Sequence, residues 1–196
     1  METRSKWVID PFHSEISFKV KHLMISKVKG LFKEYEASIY TTGDDFMTAE
    51  IDFWMNPASV DTGNPDRDTH LKSPDFFDVD KFSEINFVGN TYEKVDNDGS
   101  YEMYGDLTIK GITKRIKLDV EFGGVITDPW GDEKAGFAIN GKINRKDWGL
   151  VWNGALEGGG FLLSDEVWIS CEVELKKSKS EEVLESSDQP VAENKN

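Results

Sequence analysis

What most constrains this chain is a two-residue alternation of apolar and polar side chains, repeated from segment to segment. Successive side chains of a β-strand point to opposite faces, so such alternation marks a strand with one buried and one wet face. Ile16, Phe18 and Val20 share one parity, while Glu15, Ser17, Lys19 and Lys21 share the other. Val28, Gly30 and Phe32 keep a parity that flips at Tyr35, Ala37 and Ile39, as a β-bulge would make it do. The pattern returns at Ala49, Ile51, Phe53 and Met55, then in runs beginning at Ile85, Tyr101, Ile116, Ala135 and Val167. Turn signals separate these runs at Gly43, at 96–99, at Lys110 and Gly111, and at 128–131.

About eight antiparallel strands follow, nearly all apolar on one face. Such strands must stack as a sandwich or close as a barrel. Closure is favoured by small residues on the inner parity, Gly30, Ala37, Ala49, Gly105, Ala135 and Gly141, which let strands bend and leave the interior under-filled. Two readings of that interior stand: it holds a ligand, or facing Phe and Met side chains fill it.

The one long connector that neither alternates nor turns simply is 59–82, SVDTGNPDRDTHLKSPDFFDVDKF. Asn64 before Pro65, and Ser73 before Pro74, each read as an N-cap followed by proline at the first helical position. Two short helical turns are expected, the first carrying Arg67, Asp68, His70 and Leu71, the second Phe76 and Phe77. Together they make a lid. Arg67, Asp68 and His70 are the best polar cluster, able to bind a phosphate or poise an imidazole. The plainer reading has Arg67 and Asp68 fastening the lid to the rim. Cys171, on the inner parity, reads as a buried inert thiol. His13, His22 and His70 are too scattered for a zinc site, so no metal is expected. Glu157 in LEGGGF reads as part of a flexible turn. Trp148 and Trp152, four apart, are placed on one helical face at an end of the barrel.

A formal charge of -14 argues against nucleic-acid binding and disfavours stable residence on an anionic lipid surface, and no stable membrane insertion is expected. No apolar run is long enough for a signal peptide or a bilayer span, and a single cysteine suits a reducing cytoplasm. Residues 1–176 read as one domain and 177–196 as a disordered acidic tail. The outward aromatics Trp54, Tyr40 and Trp168 suggest an exposed patch and a homodimer.

WVIDPFHSEISFKVKHLMISKVKG, NPDRDTHLKSPDFFD, GDLTIKGITKRIKLDVEFGG, INRKDWGLVWN and LEGGGFLLSDEV together resemble the YceI-like family over about residues 7–176. The resemblance implies a lipocalin-like antiparallel β-barrel that binds a polyisoprenoid or related long-chain amphiphile, with no cofactor and no catalysis. The inward residues Phe18, Val20, Phe53, Phe87, Leu107, Ile109, Phe137 and Ile139 then line an apolar tunnel, with Leu71, Phe76 and Phe77 at its lid. Arg67, Asp68 and His70 belong to the lid, Arg67 or His70 meeting a polar head. Two alternatives remain: a lipid-acting hydrolase or isomerase using Asp68 and His70, and a ligand-free barrel acting through oligomer or partner contacts. Many relatives carry an export signal that this chain lacks, which argues against a periplasmic role and leaves the cytoplasm as the expected location.

Overall fold

A computed structural model describes residues 4–179. Its strands are β1 (Arg4–Ile9), β2 (Glu15–His22), β3 (Ser26–Phe32), β4 (Tyr35–Thr42), β5 (Asp45–Met55), β6 (Val60–Asp61), β7 (Ile85–Lys94), β8 (Ser100–Ile109), β9 (Ile112–Thr127), β10 (Glu133–Asn144) and β11 (Leu163–Lys177). The sheet runs β1-β4-β5-β7-β8-β9-β10-β11, and β1 returns to β11 with Trp7 opposite Lys177 and Ile9 opposite Leu175. Closure of those eight strands makes an antiparallel barrel. The remaining three lengthen its wall: β2 follows β1 along β11, β3 precedes β4, and β6 follows β5. The last strand reaches Lys177, and the tail expected beyond it lies, from residue 180, outside the described residues.

The parity flip between Phe32 and Tyr35 is a two-residue break at Lys33 and Glu34. Both backbone N–H groups there donate to Ser59 Oγ at 3.0 Å, which fixes the bend. Tyr35 Oη donates to the Ser14 carbonyl at 2.8 Å, so the matching gap between β1 and β2 is tied to the same corner. At the β8–β9 hairpin Lys110 and Gly111 both have positive φ, 50° and 73°, the geometry of a primed two-residue turn whose twist matches the strands it joins.

The first lid helix forms as expected. In α1 (Pro65–Lys72) Asn64 is the N-cap, its side-chain oxygen accepting from the Arg67 N–H at 3.0 Å, and Pro65 needs no N–H at its position. The second is reduced to a single turn. Ser73 caps the end of α1, its N–H and hydroxyl both donating to the His70 carbonyl at 3.1 and 2.6 Å. The same hydroxyl accepts from the Asp75 N–H at 3.3 Å, as an N-cap does, and the Phe76 N–H donates to the Ser73 carbonyl at 3.0 Å, but 74–77 go no further than turns.

The barrel end away from α1 is packed with rings. Trp7 is wholly buried, donates from Nε1 to Thr41 Oγ1 at 3.0 Å, and stands 5.0 Å from Phe46 between ring centroids. Phe46 meets Phe137 at 4.9 Å and Phe122 at 5.3 Å, and Phe122 stacks on Phe137 at 5.1 Å. These spacings suit offset and edge contacts between aromatic faces.

Inner glycines do not leave the space that their size suggests. A Cβ on Gly30 would overlap the Phe18 ring, one on Gly105 the Phe87 ring, and one on Gly141 the Leu118 side chain. Larger neighbours lie over these glycines, so any room inside the barrel comes from elsewhere. Nor do Trp54, Tyr40 and Trp168 form an exposed patch. All three are half-buried, with Tyr40 under the Arg4 guanidinium at 4.4 Å and Trp168 facing the lysines of neighbouring strands. The outward alternation that brings Tyr40 and Trp168 to the surface also sets cations beside them. Among the described residues no helix is long and apolar enough to cross a membrane.

Candidate functional site

Room remains in the middle of the barrel and below the lid, as a cavity of about 390 Å³. Its wall includes Phe18, Val20, Phe53, Leu71, Phe76, Phe77, Phe87, Leu107, Ile109, Phe137 and Ile139, all expected there from strand parity or lid position. Phe137 has a second place, since its ring also belongs to the aromatic plug. Cys171 lies on the wall too, and burial pushes its thiol up to about 11, which keeps it protonated and unreactive near neutrality.

The polar residues of the lid separate. Arg67 and His70 reach the wall, and Asp68 does not. Asp68 Oδ1 accepts from the Thr62 N–H at 2.9 Å and from its hydroxyl at 2.6 Å. Arg67 donates from Nε to Thr62 Oγ1 at 2.7 Å and from a terminal nitrogen to the Thr62 carbonyl at 2.8 Å. Thr62 directly follows β6, so both side chains fasten the lid to the rim. His70 instead pairs with Asp75 at 2.8 Å and sets its ring edge-on between Phe76, at 5.0 Å, and Trp152, at 4.6 Å. Asp68 and His70 therefore do not meet as an acid–base pair.

Trp148 and Trp152 do not share a helical face. Gly149, at φ 73°, ends the short turn 145–148 in the left-handed region and turns the chain away. Trp148 goes into the core, donating from Nε1 to the Leu107 carbonyl at 3.0 Å, while Trp152 stands against the lid. Glu157 sits exposed in the turn beyond.

The residue that sequence reasoning missed is Arg145. It is 3% exposed and lines the cavity at the lid end, where His22 and His70 also reach the wall. Nε donates to the Ser164 carbonyl at 2.9 Å, and one terminal nitrogen donates to the Leu150 and Trp152 carbonyls at 2.5 and 2.8 Å. The other terminal nitrogen is buried without a hydrogen-bond partner; Asp165 stands 3.7 Å away, too far for such a bond. Burial lowers the Arg145 pKa and Asp165 opposes that pull, and a guanidinium stays charged through any such shift. Buried donors are nearly always paired, so an open one at a cavity wall is a position for an acceptor. A signal was available: Ala135, Phe137, Ile139, Gly141 and Ile143 share a parity that, carried one step past β10, falls on Arg145.

Asp10, His13 and Glu174 bring ligand atoms within 4.8 Å of one another. The Lys134 ammonium already lies 2.8 Å from both carboxylates, so a cation of the protein's own occupies that group.

Comparison with known proteins agrees with this architecture. A family model for the YceI-like domain matches residues 7–175. The chain is 39% identical over 176 residues to a UPF0312 protein of Staphylococcus aureus, covering 89% of this chain and 99% of the relative. It is similar to a solved YceI protein of Campylobacter jejuni, with 38% identity, a TM-score of 0.68, and coverage of 81% of this chain and 90% of the other. A polyisoprenoid-binding domain of Saccharophagus degradans shares the fold at a TM-score of 0.61 and 13% identity, over 88% of this chain and 98% of that one.

Proposed function

The chain belongs to the YceI-like family, and from that premise we propose that it binds a polyisoprenoid or similar long-chain amphiphile in the barrel cavity, as a carrier or store without catalysis. The observation that carries the reading is an apolar cavity inside the barrel with the buried Arg145 guanidinium at one end, one of whose terminal nitrogens lacks a hydrogen bond. Its volume of about 390 Å³ falls within the ~300–1,000 Å³ range of small-molecule sites. Burying a methylene is worth about 0.8 kcal/mol, so a ten-carbon stretch supplies roughly 8 kcal/mol before association and chain ordering are subtracted. An apolar chain entering below the lid leaves its head beside Arg145 and His70. The free guanidinium nitrogen favours a head with acceptor oxygens, such as a phosphate or carboxylate, over a bare hydrocarbon end.

The test is mass spectrometry of an organic extract of natively purified protein, beside titration with a phosphate-headed and a hydroxyl-headed chain of equal length. Stoichiometric lipid is expected, with affinity falling at least tenfold in Ala37→Trp, which places an indole in the cavity. Arg145→Lys, lacking the guanidinium fork, should narrow the preference for phosphate several-fold. Undiminished binding by a folded Ala37→Trp protein would sink the cavity reading.

A further inference from the structure

The outer face of the β2–β3 hairpin departs from the rest of this acidic molecule. Lys19 lies directly opposite Lys29, and Lys21 opposite Lys27, so like charges face each other across two strands. Such pairs oppose folding. Trp168 on β11 draws three of the surrounding ammonium groups: Lys27 at 4.8 Å, Lys142 at 5.6 Å and Lys21 at 5.8 Å from its ring centroid. Glu15 and Glu166 pair with Lys29 and Lys142 at 2.5 and 3.5 Å, and Glu172, Asp119 and Asp147 stand at the margins of this face. Among the described residues, Lys19, Lys21 and Lys27 have no carboxylate within ion-pair distance.

The tip of the same hairpin is apolar and strained. Leu23 and Met24 adopt φ values of 52° and 61°, a region that side-chain-bearing residues seldom enter and that glycine or asparagine would fill without cost. Met24 is 57% and Ile25 85% exposed. The tip is held by the Leu23 N–H, which donates to the Leu162 carbonyl at 2.8 Å, and the preceding Phe161 is itself 60% exposed. Val20, His22, Val28 and Leu162 line the lid end of the cavity, so this tip stands beside it.

We propose that the β2–β3 hairpin docks the protein on anionic phospholipid bilayers, its tip entering the interface and its lysines meeting lipid phosphates. An apolar point flanked by cations suits a surface that is apolar within and anionic at its face. The overall charge of -14 does not forbid this. At physiological salt the Debye length is about 8 Å, so a bilayer responds to the lysines that touch it and little to carboxylates across the barrel. The docking itself is independent of what the cavity holds; its use, passing lipid through the lid end, rests on the function proposed above.

The experiment is co-sedimentation of the full chain with sucrose-loaded vesicles of phosphatidylcholine alone or with about a third phosphatidylglycerol. Uptake of a fluorescent long-chain probe added from solvent is measured in parallel. Wild type should pellet several-fold more with the anionic vesicles and release at 0.5 M salt (about a 4 Å Debye length). Lys21→Gln with Lys27→Gln, and separately Met24→Ser with Ile25→Ser, should each lower pelleting about fivefold or more while probe uptake and circular dichroism stay unchanged. Equal pelleting with both vesicles, or full pelleting by both double variants, overturns the proposal. No pelleting at all also overturns it and leaves the lysines to an acidic protein partner. Pelleting without probe uptake keeps the docking and removes the cavity reading; uptake without pelleting does the reverse.

Discussion

The two ends of the barrel are closed by different physics. At one, Trp7, Phe46, Phe122 and Phe137 pack ring against ring, and the polar atom of Trp7 is satisfied by Thr41. At the other, α1 buries none of its residues; it is held through Thr62 by hydrogen bonds from Arg67 and to Asp68, and by the edge contacts of His70 with Phe76 and Trp152. Apolar packing gains with every ring removed from water and is lost only when the whole end opens. A few local hydrogen bonds and one small ring cluster are worth less, so the lid end is expected to open at lower cost than the plug.

The contrast can be broken most severely at the ring plug. Trp7→Ala should lower global stability by about 3–5 kcal/mol, the usual cost of removing a large core aromatic. Chemical denaturation should show a lower midpoint with an unchanged slope. A loss confined to the lid end would refute the assignment of the plug.

A smaller effect is expected from Asp68→Ala, which removes the acceptor of two Thr62 hydrogen bonds and should loosen the lid by about 2 kcal/mol. Hydrogen exchange should quicken across 65–80 while β1 and the closed-end half of β10 keep their protection. Equal acceleration at both ends would mean that the lid and barrel open as one unit.

Acid gives the smallest and sharpest comparison. Burial alone would raise the Asp10 pKa, but hydrogen bonds from Lys134, His13 and the Phe12 N–H outweigh it and hold the carboxyl at about 2. A carboxyl lowered in the folded state stabilises fully above its unfolded value near 4, and that contribution is lost as pH falls through the folded value. Asp10 joins Lys134 near the end of β1, so closed-end stability should drop on the order of 1 kcal/mol between about pH 4 and 2. Asp10→Asn should flatten that part of the melting-temperature profile. A profile unchanged by the substitution would show that the ion cluster contributes nothing measurable.

Much of this molecule was legible in its alternation. Parity placed Phe18, Phe53, Leu107 and Ile139 inside, and the flip after Phe32 located the bend between β3 and β4. The same rule reached Arg145 and was simply stopped at the last apolar residue, because a charged side chain is not expected to be buried. Ser73 went only half as expected. Its hydroxyl serves the end of α1 and the start of the next turn at once, and nothing local says how far a capped turn will continue.

The sequence by itself therefore determined the faces: which residues point inward, where strands turn, and that a capped helix follows Asn64. Those are local properties, set by the geometry of a strand or a turn over a few residues. Only the tertiary structure decided that β1 closes on β11, that Phe18 and Phe87 lie over glycines, and that one end is plugged by rings while the other is left for a lid. Each of these depends on side chains that meet across large separations in sequence, where shape and volume, not pattern, select the partner.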